Sequence, residues 1–106
     1  MTLVIRYNPQ DSMRKYELMM ILDSTLTEID RSTLISMIET ELTDSGATII
    51  SSDHPGERAL AYYIHGSKVG YYLLYTLEKS GDFVAVSNSF NIKKDIWRYM
   101  FTKIEA

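Results

Sequence analysis

The stretch YELMMIL, Tyr16 to Leu22, constrains this chain more than any other. In an extended backbone Tyr16, Leu18, Met20 and Leu22 share one face and Met19 and Ile21 the other. A strand apolar on both faces belongs inside its sheet, with neighbours on both edges. The rest of the chain must supply those neighbours and the layer that covers them.

Asp23-Ser24-Thr25 breaks the strand. From Glu28 to Asp44 the spacing turns helical, with Leu34, Ile35, Ile38 and Leu42 on one stripe and Glu39, Glu41 and Asp44 off it, and Gly46 marks the stop. Ala47 to Ser52 is extended again. Asp53-His54-Pro55-Gly56 interrupts it, and Arg58 to Ile64 resumes, so the segment is read as one long strand bent at Pro55-Gly56. His65-Gly66-Ser67-Lys68 forms a hairpin turn into the strand Gly70 to Glu78. Asp82 is the expected N-cap of a weak helix whose stripe is Phe83, Val86 and Phe90. Ile96 to Ile104 closes the series as a strand, with Trp97, Tyr99 and Phe101 predicted on one face and Ile96, Met100 and Ile104 on the other.

The order strand, helix, strand, strand, helix, strand is the split βαβ pattern. It predicts an α+β, ferredoxin-like fold, βαββαβ, with a four-stranded antiparallel sheet and two helices on one face. The first and third strands lie at the centre, and the fourth is an edge beside the first. With 106 residues the chain is a single domain by length. A methionine followed by two cations, Met13-Arg14-Lys15, looks like a second chain opening. Residues 1–12 are accordingly read as an N-terminal extension or a mis-assigned start, the latter favoured, and residues 13–106 as the domain.

Chemistry-bearing patterns are sparse. Without cysteine there is neither a disulfide nor a thiolate metal site, and no segment approaches the roughly 20 apolar residues that span a bilayer. His54 and His65 both sit in turns and are read as solvated. No HExxH, phosphate loop or nucleophile elbow is present, so neither enzymatic activity, cofactor nor metal is expected. The tyrosines Tyr62, Tyr63, Tyr71, Tyr72 and Tyr75 suggest a base-stacking platform, but Val69-Gly70-Tyr71-Tyr72-Leu73 departs from that module's pattern, and sheet packing is the better reading.

Charge is more informative. The net charge is −3, yet residues 58–106 carry seven Lys/Arg against four Asp/Glu. A polyanion responds to the local field within about 8–10 Å, not to the total. Arg14 and Lys15 open the first strand, Lys93 and Lys94 precede the fourth, and Arg98 and Lys103 lie within it, so these cations are expected along one sheet edge. Blocking edge-to-edge aggregation is the competing explanation for cations there.

Three blocks resemble the bacterial small-subunit ribosomal protein six family: MRKYELMMILD (Met13 to Asp23), GERALAYYI (Gly56 to Ile64), and GYYLLYTLE (Gly70 to Glu78) followed by IKKDIWRYMFTKIE. In the middle block Gly56, Arg58, Leu60, Ala61, Tyr62 and Ile64 fit the family's pattern and Ala59 departs from it. The resemblance implies the same fold and a non-enzymatic, cytoplasmic role in the small ribosomal subunit. It further implies binding to the central domain of the small-subunit ribosomal RNA, together with small-subunit protein eighteen, during subunit assembly. Carried over by position, RNA contacts fall on Arg14, Tyr16, Lys93, Lys94, Arg98 and Lys103, and partner contacts on Arg58 and Tyr63. A rival reading on this fold is a small-molecule-sensing regulatory domain acting as a homodimer without RNA. A small acyl-phosphate hydrolase would need an arginine-bearing anion loop, which Asp23-Ser24-Thr25-Leu26 lacks.

Overall fold

A computed structural model describes residues 13–104; the reading of residues 1–12 lies outside the described residues. The elements run β1 (Met13–Leu22), α1 (Glu28–Asp44), β2 (Thr48–Ile64), β3 (Ser67–Ser80), α2 (Val84–Asn91) and β4 (Ile96–Ile104). The sheet order is β2-β3-β1-β4, and every neighbouring pair is antiparallel. The predicted ferredoxin-like architecture is the observed one, with β1 between β3 and β4.

Local chemistry sets the boundaries. After β1, Asp23 accepts from the Thr25 N–H (2.8 Å) and hydroxyl (2.6 Å), which turns the chain out of the sheet. The Thr27 hydroxyl oxygen then caps α1 by accepting the Asp30 N–H at 3.1 Å. β2 is one continuous strand whose register slips between Asp53 and Gly56, which is the predicted bend at Pro55-Gly56. The hairpin is tighter than expected. Only His65 (φ 49°) and Gly66 (φ 79°) form its turn, closed by the pairing of Ile64 with Ser67.

The main core lies between sheet and helices. Leu18, Met20 and Leu22 of β1 and Leu73, Tyr75 and Leu77 of β3 pack against Leu34, Ile38 and Leu42 of α1 and Val86 and Phe90 of α2. Tyr75 is buried, and its hydroxyl donates to Glu39 Oε2 at 2.9 Å. Burial, then the hydrogen bond and charge of Glu39, push that hydroxyl's pKa well above the ordinary tyrosine value.

Two expectations are corrected. Asp82 is not the N-cap residue of α2. The helix begins one position later, with Phe83 at the cap, and Asp82 instead accepts the Val84 N–H at 3.2 Å. Phe83 is drawn into the core, and this shifts the helix start. The faces of β4 also do not alternate as predicted. A bulge opposite Ile21 and Leu22 breaks the period of two. Ile96 therefore joins Tyr99 and Phe101 on the helix side, while Trp97 packs on the outer side with Ile21, Leu60, Ile64 and Tyr72.

Candidate RNA-binding surface

The six predicted contact residues do not form one row. β1 and β4 are antiparallel, so the start of β1 meets the end of β4: Tyr16 pairs with Lys103, whereas Ile21 pairs with Arg98. Arg14, Tyr16 and Lys103 gather at one end of the sheet, and Lys93, Lys94 and Arg98 at the other. Five residues of strand separate Arg98 from Lys103, about 17 Å. The two also differ in face. Lys103 shares the helix side with Tyr16, and Arg98 shares the outer side with Ile21.

Tyr16 and Lys93 are held by side-chain contacts between elements. The Tyr16 ring stands edge-on to Phe83 at 4.9 Å, and its hydroxyl donates to the Gly81 carbonyl at 3.0 Å. Such a ring has its packing partners already and ties the β3–α2 loop to β1. Lys93 is half-buried and forms a 2.7 Å ion pair with Glu41 of α1, and it donates to Ser89 Oγ at 2.9 Å. Partial burial works to raise the Glu41 pKa, but the hydrogen bonds with Lys93 and Ser89 and the Lys93 charge outweigh it and leave the carboxyl below its ordinary value. This pair clasps α1 to the α2–β4 connection.

The other cations face outward. Lys94, Arg98 and Lys103 are exposed, as is Arg14. The Arg98 guanidinium donates to the Trp97 carbonyl at 2.7 Å, which directs it along the bulge. Lys94 borders a shallow groove of mixed character with Asp95, Asp23, Thr25, His65 and Trp97.

Arg58 and Tyr63 lie on β2, the opposite sheet edge, three strand spacings or about 14 Å from β4. Tyr63 is 67% exposed, with Lys68 Nζ 5.3 Å from its ring centroid. RNA and partner candidates thus occupy different edges. Sequence reasoning overlooked a third surface: on the outer sheet face Met19 lies between Leu74 and Met100, which are 39% and 55% exposed. Its signal was the apolar odd-numbered residues of β1, read only as a mark of centrality. Among the described residues no group of three His, Cys, Asp or Glu side chains is arranged to hold a metal ion.

The fold matches the crystal structure of 30S ribosomal protein S6 from Thermotoga maritima with a TM-score of 0.83, covering 87% of this chain and 88% of that one at 21% identity. The model of the family Ribosomal protein S6 matches residues 15–103. The chain belongs to the ribosomal protein S6 family. The small ribosomal subunit protein bS6 of Fusobacterium nucleatum is 41% identical over 92 residues, covering 86% of this chain and 98% of that protein. The bS6 protein of Koribacter versatilis is 31% identical over 93 residues, covering 87% of this chain and 63% of that protein. S6 proteins are structural, non-enzymatic components of the small ribosomal subunit, which in bacteria is cytoplasmic.

Proposed function

We propose that this S6 protein binds the central domain of the small-subunit ribosomal RNA together with small-subunit protein eighteen during assembly of the subunit. The observation that carries the reading is the S6 family match across residues 15–103, which includes almost all of both β1 and β4. Arg14, Lys94, Arg98 and Lys103 contact phosphate and set the orientation of the protein, and the shape of the RNA junction supplies specificity. Tyr16 and Lys93 position the elements that carry those cations. The partner docks at Arg58 and Tyr63 on the β2 edge. With a net charge of −3, the chain relies on its partner to share the neutralisation of phosphate.

The test is a titration against a central-domain RNA fragment at two salt concentrations, with and without the partner protein. Binding is expected to be salt-sensitive and to tighten when the partner is added. Replacing Lys94 and Arg98 together by Ala should lower the slope of log K against log salt by about 1.4–1.8. A folded double variant with the wild-type affinity and slope would remove those residues from the interface. Absence of RNA binding by the folded wild-type chain, with the partner present, would refute the proposal.

A further inference from the structure

We infer that Lys79 of β3 completes a three-strand phosphate clamp with Arg14 of β1 and Lys103 of β4, at the end of the sheet where β1 begins. The inference rests on the RNA-binding reading proposed above and assigns that site a contact residue.

Register brings the three together. Arg14 pairs directly with Lys79, and Tyr16, two residues further along β1, pairs with Lys103. Alternation places all three on the helix side of the sheet, because Tyr16 packs against the main core there. The extreme Cα atoms, those of Lys79 and Lys103, lie about 12 Å apart, given about 4.8 Å between strands and 3.4 Å per residue. That Cα spacing is comparable with a Debye length of about 8–10 Å, so the three charges act on an anion as one patch.

Lys79 is anchored on this face. Its ammonium donates to the Ser80 carbonyl at 3.1 Å and stands 5.6 Å from the centroid of Phe83. Phe83 in turn stacks on Phe101 at 4.3 Å and receives the edge of Tyr16. Lys79 therefore stands beside an aromatic floor made by Phe83, Phe101 and Tyr16. That floor is internally packed, so the site takes the phosphodiester backbone and leaves the bases alone.

Arg14 and Lys79 are like charges paired in register across two neighbouring strands. Glu78, paired with Lys15, falls on the opposite face by the same alternation. Among the described residues lining the floor, Asp82 is the carboxylate, and its Oδ1 accepts the Val84 N–H.

The experiment compares the wild-type chain with Lys79→Gln and Lys79→Arg, using the RNA fragment and partner protein, between 50 and 200 mM salt. Thermal melting of each variant checks its fold. The Gln variant is expected to lose about 0.7–0.9 of the salt slope, a drop in affinity across that range about threefold smaller than that of wild type. The Arg variant, which keeps the charge, should restore the wild-type slope. If the wild-type chain binds RNA in a salt-dependent manner and the folded Gln variant shows the same slope, Lys79 is no contact and the clamp is overturned while RNA binding stands. If the wild-type chain does not bind, both ideas fail together.

Discussion

The two faces of the sheet are built from the same strands and packed very differently. On the helix side Leu18, Met20, Leu22, Leu73 and Leu77 are completely buried beneath two helices. Among the described residues no helix covers the outer side. There Ile21, Leu60 and Ile64 form a small cluster with Tyr72 and Trp97, while Leu74 and Met100 remain partly exposed. The cluster exists because the β2–β3 hairpin runs past the end of β1, whose last pairing is Leu22 with Tyr71. The overhanging part folds its own side chains over Ile21. Apolar character on both sides of β1 thus has two origins, a helical layer on one face and a curled hairpin on the other.

If that contrast is right, stability depends mainly on the helix side. Leu73→Ala should cost about 2–5 kcal/mol in denaturant unfolding, as expected for a cavity in a closed core. A loss well under 1 kcal/mol would mean the helices do not seal that face.

The outer cluster is probed at Gly70, where the hairpin backbone lies against the Ile21 side chain. A Cβ added there would collide with Ile21 Cγ2 and approach Leu60 Cδ2 to 3.1 Å. Gly70→Ala is expected to cost about 1–3 kcal/mol through overpacking. Ile21→Ala should relieve part of that loss, so the double variant is less destabilised than the sum of the two. Simple additivity would show that the hairpin does not rest on Ile21.

The smallest effect belongs to the Lys93–Glu41 clasp at the rim of the helix layer. Because the Glu41 pKa is depressed in the folded protein, its contribution is present above the ordinary glutamate value and is lost as pH falls through the depressed one. Glu41→Gln should lower stability at neutral pH by about 1 kcal/mol or less. It should also flatten the acid limb of stability against pH, and an unchanged limb would contradict the assignment.

Most of the architecture was legible because it depends on periodicity. The double-sided β1, the stripe Leu34, Ile38 and Leu42, and the Pro55-Gly56 bend all report local requirements that the sequence states directly. What escaped was set by register. A one-residue bulge opposite Ile21 and Leu22 moved Trp97 to the outer face, and no run of residue types within β4 announces it. For the same reason the basic residues were legible as an edge set but not as two separate groups. Antiparallel pairing sends Arg14 to Lys103 and away from Lys94. Lys93 looks like its neighbour Lys94 in sequence, and only the packing of α1 against the α2–β4 connection supplies Glu41 as its partner. Lys79 was invisible until β3 was aligned with β1.

The position of β1 also governs when the fold can close. It is the first described strand made, yet its partners are β3 and β4, and its last residue, Leu22, pairs with Ile96. At about 5–20 residues per second of synthesis, roughly 4–15 s pass between those two residues. A hairpin such as β2–β3 forms in microseconds, so it is ready as soon as it emerges, whereas the inner strand waits with one edge open until β4 is made. Arg98 and Lys103 lie on that closing strand. The proposed RNA-binding edge is therefore completed by the last of the described strands, and a chain arrested short of β4 has no such edge to present.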